Sequence, residues 1–133
     1  MIQCQTSRRR FFLRWAFGCL LAGLLLPAHH AQAHAIVVSS KPAFNSKVTQ
    51  GPIDILLQFN SRIDLELSRV SLVDPAGKIS ALAAAGGATP GSLVAQGNAD
   101  VIGPWKLRWQ VLSADGHITR GEIPFLVIEK TAP

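Results

Sequence analysis

Sulfur and tyrosine are almost missing from this chain. Its 133 residues contain no tyrosine, one methionine and two cysteines, and Met1, Cys4 and Cys19 all lie near the start. Negative charge is missing from the same region. None of the 8 Asp+Glu falls within residues 1–33, whereas four of the 13 Lys+Arg do. Long apolar runs are missing too. Trp15 to Leu26 covers about 12 residues, well short of the roughly 20 that a membrane-spanning helix needs.

These absences define a leader and a remainder. A basic stretch (Arg8, Arg9, Arg10, Arg14) precedes the apolar run, Pro27 breaks it, and Ala31-Gln32-Ala33 ends it. Small residues at −3 and −1 of a cut after Ala33 make residues 1–33 an expected cleaved export signal, and 34–133 the mature domain. Ser7-Arg8-Arg9-Arg10-Phe11-Phe12 resembles a twin-arginine signal; the alternative is an ordinary Sec leader with a generous basic region. Ala33-His34-Ala35 also satisfies the small-x-small rule, and a cut after Ala35 would discard His34.

Without the leader, nine Lys+Arg face eight Asp+Glu, so the basic character of the whole chain gives no ground for nucleic-acid or membrane binding. No stable membrane association is expected after cleavage. The mature part holds neither Cys nor Met. It can form no disulfide, no thiolate zinc site and no blue-copper site, which requires a Cys ligand.

What remains reads as strand after strand. Ile53, Ile55, Leu57 and Phe59 alternate with Asp54, Leu56 and Gln58, the period of a half-buried strand. Val70 to Val73 runs into Asp74-Pro75-Ala76-Gly77, a turn signal, and then into Lys78 to Leu82. Trp105, Leu107, Trp109 and Val111 alternate with Lys106, Arg108 and Gln110, turning an aromatic face inward. Ile123 to Ile128 closes the pattern, with Pro124 indicating an edge or bulge. Ile36 to Val38 and a weak strand near Leu93-Val94 bring the count to about seven, while Ala81 to Ala85 is expected to be a flexible connection. The expectation is an all-β, seven-stranded Greek-key barrel or sandwich of immunoglobulin-like architecture, a fold that leaves function to its site.

Two places could carry chemistry. Cleavage after Ala33 makes His34 the first residue, whose α-amine and ring Nδ1 can close one chelate ring on a metal. Asp115-Gly116-His117 supplies a carboxylate and the second and last imidazole of the mature chain. On an extended strand these two side chains, two residues apart, would share a face. Asp-Gly between apolar runs is equally a hairpin-turn signal, which leaves a purely structural reading open. Should the two places meet, their nitrogen- and oxygen-rich donor set favours Cu(II) or Ni(II), with Cu(II) higher in the affinity order, while zinc fits less well but remains open.

The stretch His34-Ala35-Ile36-Val37-Val38-Ser39-Ser40-Lys41-Pro42-Ala43 resembles the mature N-terminus of the CopC family of periplasmic copper-binding proteins. Trp109-Gln110-Val111-Leu112-Ser113-Ala114-Asp115-Gly116-His117 resembles that family's other hallmark, and Gly121, Phe125 and Val127 fit its closing strand. The resemblance implies one Cu(II) per chain, bound by the amine and Nδ1 of His34, the Asp115 carboxylate and the His117 imidazole. It also implies a periplasmic carrier or buffer in copper resistance or homeostasis, with a CopD-like inner-membrane copper-uptake protein as partner. The methionine-rich Cu(I) site of some relatives has no counterpart here, and Ala83 to Val101 matches no part of the family pattern.

Two other readings compete. An N-terminal histidine with a second imidazole is also the copper-ligating brace of oxidative polysaccharide-cleaving enzymes. Against that reading, the mature chain offers no tyrosine, and its two tryptophans are assigned to the core; the expectation is that it is not an enzyme. The other alternative is a metal-free immunoglobulin-like module.

Overall fold

The computed structural model describes residues 34–130; the expected export signal lies outside the described residues. Strand formation follows the alternation. In β3 (Gly51–Phe59) Ile53, Ile55, Leu57 and Phe59 are buried while Asp54 and Leu56 face out. In β8 (Gly103–Ser113) Trp105, Leu107, Trp109 and Val111 are buried while Lys106 and Arg108 face out. Two such half-apolar surfaces bury each other most simply as a sandwich.

The sandwich has a four-stranded sheet, in the order β1 (Val37–Lys41), β3, β7 (Ser92–Ala99), β6 (Ala84–Gly86). Opposite it lies a five-stranded sheet, β2 (Lys47–Thr49), β9 (Ile118–Ile128), β8, β4 (Ile63–Val73), β5 (Ile79–Leu82). All ladders are antiparallel except β2 on β9. Leu57, Leu72, Leu93, Leu107, Val111 and Val127 are fully buried between the sheets, and each contributes about 1.5–3 kcal/mol by leaving water. The Trp109 ring meets Phe59 edge-on at 5.2 Å, and the Trp105 indole N–H donates to the Val101 carbonyl at 2.7 Å.

The all-β, immunoglobulin-like expectation holds, with nine strands among the described residues instead of seven. The expected Lys78–Leu82 strand is β5, and the expected flexible connection over Ala81 to Ala85 is instead the end of β5 and a further short strand, β6, which together carry the chain from one sheet to the other. Its small side chains hid it from a periodicity reading. The same smallness lets backbones approach: a Cβ on Gly97 would lie 2.6 Å from Leu72 Cδ1 across the core. The weak strand near Leu93-Val94 is the eight-residue β7, paired with β3 along its length. The closing strand starts at Ile118, five residues earlier than the apolar run indicated.

Pro124 occupies an edge, as expected. Its carbonyl accepts from Asn45 N–H at 2.8 Å on the side away from β8, and β2 joins β9 only from Leu126 onward. The missing Pro N–H therefore leaves the β8–β9 ladder intact. The turn signal at Asp74 is also realised: its Oδ1 accepts from Ala76 N–H at 2.9 Å and Lys78 N–H at 2.8 Å, with Gly77 at φ +85°.

Candidate metal centre

Strand register brings the start of the domain and the β8–β9 hairpin to the same end of the sandwich. β1 begins with Val37 opposite Phe59, the last residue of β3. β4 begins with Ile63 opposite Ser113, the last residue of β8. The antiparallel ladders thus leave residues 34–36, the 60–62 connection and the hairpin as neighbours.

Residues 34–36 are held by their backbone. Ile36 N–H donates to Asn60 Oδ1 at 2.8 Å, and Asn60 N–H donates back to the Ile36 carbonyl at 3.0 Å. The Ala35 side chain is buried, and its carbonyl accepts from the Thr119 hydroxyl at 3.1 Å. Asn60 follows the four-stranded sheet and Thr119 belongs to the other. The segment carrying His34 is therefore fixed to both sheets, immediately beside His34 and without using its side chain.

The hairpin is equally defined. Ser113 N–H donates to the His117 carbonyl at 2.9 Å and Gly116 N–H to the Ser113 carbonyl at 2.9 Å. Gly116 has φ +84°, a conformation that costs a glycine little. Asp115 Oδ1 accepts from the Ser113 hydroxyl and from His117 N–H at 3.2 Å, while Oδ2 lies 3.3 Å from His117 Nδ1. Ala114 N–H donates to the Arg62 carbonyl at 3.1 Å, tying the hairpin to the neighbouring connection. Asp115 and His117 do face the same way, though not through the extended strand that their spacing allowed. Both lie in the turn, and the carboxylate itself closes it.

The three expected site residues come together. One donor atom from each of His34, Asp115 and His117 lies within 4.8 Å of the others. The two imidazoles meet edge to face with centroids 5.1 Å apart. The His117 side chain is 50% exposed and that of Asp115 20%, so the cluster opens to solvent on one side. Metal–nitrogen bonds of about 2.0–2.1 Å hold opposed donors about 4.2 Å apart. Small side-chain rotations would close the observed spacing. The donor set therefore fits a tetragonal cation that prefers nitrogen and oxygen.

The Ser113 hydroxyl bond is the main cause holding the Asp115 carboxyl below its usual range. Desolvation opposes this, and the His117 backbone N–H and ring add to it. The carboxylate is thus kept charged and acceptor-only, as a ligand to a cation must be.

Sequence reasoning missed the residues that position the donors. Ser113 stood inside the quoted hallmark stretch without a role of its own. Thr119 and Asn60 carried no pattern at all, since a single side-chain bond to a distant backbone leaves no periodic trace. Trp105 and Trp109, expected in the core, are 4% and 8% exposed.

Comparison with known proteins gives a consistent result. The profile of the CopC domain matches residues 37–128, a span that includes Asp115 and His117 and begins just after His34. Protein YobA of Escherichia coli K12 is 30% identical over 118 residues, covering 86% of this chain and 94% of YobA. The crystal structure of CopC from Methylosinus trichosporium OB3b superposes with a TM-score of 0.65 at 28% identity, over 75% of this chain and 99% of that one. PcoC from Escherichia coli, described as a methionine-rich copper resistance protein, superposes with a TM-score of 0.57 at 27% identity, over 72% and 100%.

Proposed function

The chain belongs to the CopC family, and we propose that it is a copper-binding protein of copper resistance or homeostasis that holds one Cu(II) through His34, Asp115 and His117. One observation carries this reading. A first-residue candidate and a hairpin 81 positions away bring two imidazoles and a carboxylate within 4.8 Å of one another. Cu(II) stands at the top of the divalent affinity order for such donors. After Met1 the chain has no methionine, so a thioether-ligated copper site has no donors here.

The fourth donor comes from processing. In the uncleaved chain the His34 nitrogen is an amide; cleavage after Ala33 turns it into an amine that can close a chelate ring with Nδ1. Residues 1–33 then serve as the export signal and the periplasm is where the site is completed. Copper is the cargo, held as a carrier or buffer would hold it and passed to a CopD-like inner-membrane uptake protein.

Native mass spectrometry of the periplasmic protein tests the reading directly. The expected species starts at His34 and gains one copper on addition of one equivalent of Cu(II), with a tetragonal paramagnetic resonance signal. A chain that begins at Ile36, or one that begins at His34 and takes up no copper, overturns it.

A further inference from the structure

The chain from His34 onward is nearly neutral, with nine cationic and eight acidic side chains, but its charge is not evenly spread. On the outer face of the five-stranded sheet, cross-strand neighbours form successive rows. Arg69, Gln110 and Arg120 stand opposite one another on β4, β8 and β9, and the next row is Ser71, Arg108 and Glu122. Lys106 follows on β8, between Val73 and Pro124. Four of the nine cations thus share this part of the face with two carboxylates, Glu122 between Arg108 and Lys106 and Asp64 opposite Leu112 at the hairpin end, and a shallow depression of about 490 Å³ lies among the three arginines.

These arginines are oriented, not merely exposed. Arg108 donates from Nε and Nη2 to Glu122 Oε1 at 2.9 and 2.7 Å, and Lys106 Nζ reaches Glu122 Oε2 at 3.2 Å. Arg120 Nε donates to Gln110 Oε1 at 2.7 Å, and Arg69 Nη1 donates to the carbonyls of Glu66 and Ser68. Each guanidinium has five N–H donors, so every one of the three keeps several that these bonds do not use. A planar fork held at one edge is prepared for carboxylates at the other.

We propose that this face of β4, β8 and β9 is a docking surface for a carboxylate-rich segment of a partner protein. Charge complementarity identifies the occupant: three arginine forks and a lysine carry an excess of two positive charges over Glu122 and Asp64. An anionic lipid surface fits less well, because among the described residues the face presents no aromatic side chain and only one lysine, and Glu122 sits within it. The face lies beside the candidate metal centre, since one row, Asp64–Leu112–Ile118, separates the Arg69–Gln110–Arg120 row from the hairpin. A segment docked there reaches within about 10 Å of His117, three residues from Arg120 along the chain. From Leu112 to Lys106 the face is about 20 Å long and three strands wide. That is smaller than the roughly 800 Å² per partner of a stable interface, so the encounter is weak, fast and salt-sensitive. The inference goes beyond the copper reading and does not depend on it.

Hexaglutamate peptide is the probe. Titrated into the isotopically labelled, processed protein at low ionic strength, it is expected to shift amide resonances of β4, β8 and β9 around Arg69, Arg108 and Arg120. Binding is expected to weaken at least tenfold at about 0.15 M salt, where the screening length is about 8 Å. Arg69→Gln and Arg120→Gln are each expected to weaken it about three- to tenfold, with thermal unfolding still cooperative; Lys78→Gln, off the face, changes nothing. Shifts confined to another surface, an inert peptide at low salt, or binding to phosphatidylglycerol vesicles without binding to the peptide overturns the proposal. A copper titration on the same samples keeps the two readings apart. Peptide binding without copper uptake removes only the copper role, and copper uptake without peptide binding removes only the docking face.

Discussion

Replacing His34 by alanine in the processed chain should damage copper binding far more than it damages the fold. The contacts that fix this end of the domain belong to Ala35 and Ile36: the buried Ala35 methyl, the Thr119 hydroxyl bond and the paired bonds to Asn60. None uses the His34 side chain. Unfolding free energy should therefore move by no more than about 0.5 kcal/mol, as for a surface substitution. Copper loses an imidazole and the chelate ring with it, since the remaining amine then binds alone and in competition with its own proton. Outer-shell partners of a metal are typically worth 10–100-fold in affinity. A direct donor that anchors a chelate should exceed this, at about 1,000-fold or about 4 kcal/mol. Asp115→Asn should cost less, about 10–100-fold, because an amide oxygen can still accept the bonds from the Ser113 hydroxyl and the His117 N–H that close the turn. A chain with one extra residue before His34 keeps both imidazoles but blocks the amine, and should also lose at least 100-fold. Competition titrations against a chelator of known affinity read all three. Equal losses for His34→Ala and Asp115→Asn, or tight binding by the extended chain, would refute the chelate reasoning.

Other substitutions probe the fold and its electrostatics. A Cβ on Gly121 would lie 2.5 and 2.7 Å from ring carbons of Trp109; Gly121→Ala should destabilise by about 1–3 kcal/mol and shift tryptophan emission, and an unchanged denaturant midpoint would contradict the close approach. Leu107 is fully buried at the centre of β8, so Leu107→Ala should cost about 2–5 kcal/mol in chemical denaturation, and a loss below 1 kcal/mol would mean that this part of the core is loosely packed. Arg108, and then Lys106, hold the Glu122 carboxyl below its usual range. A carboxylate whose folded pKa is depressed stabilises above its unfolded value, about 4.3, and loses that contribution as pH falls through the folded value. Glu122→Gln should therefore flatten the stability–pH curve below about pH 4.3 and leave its shape near neutrality unchanged; a parallel acid limb in the variant would exclude Glu122 as its source.

Much of the fold was legible because burial imposes alternation. Ile53 to Phe59 and Trp105 to Val111 announce their inward faces in the order of their residues, and Asp74-Pro75-Ala76-Gly77 announces its turn. That turn also led into β5, but the switch from β5 into β6 was not legible. Alanine and glycine carry too little hydrophobic contrast to show a period, and what makes β6 a strand is the ladder offered by β7. β9 was read short for a related reason: Thr119 and Gly121 take its inward positions, and Gly121 leaves room for Trp109 where an apolar side chain would have shown the pattern. For the site, the donor types were visible but their convergence was not. The spacing of Asp115 and His117 suggested a shared strand face, whereas Asp115 accepts from Ser113 and His117 and forms the turn. Nothing local to His34 indicates that Thr119 and Asn60 hold its neighbours in place.

The separation between the groups that fix the chain and those that would bind metal has a consequence for the order of events. The clamps on Ala35 and Ile36 can form whether the His34 nitrogen is an amide or an amine, because they use neither that nitrogen nor the imidazole. The hairpin closes through Ser113, Gly116 and Asp115 with no contribution from His34. Folding can therefore bring both imidazoles and the carboxylate within reach before the last donor exists, and the proposed cleavage would change only the chemistry of one nitrogen in a site already assembled. Under the proposed function, copper affinity would be set by cleavage and geometry by the β-sandwich. The extended chain of the first prediction should then match the processed chain in metal-free stability and differ from it in copper affinity.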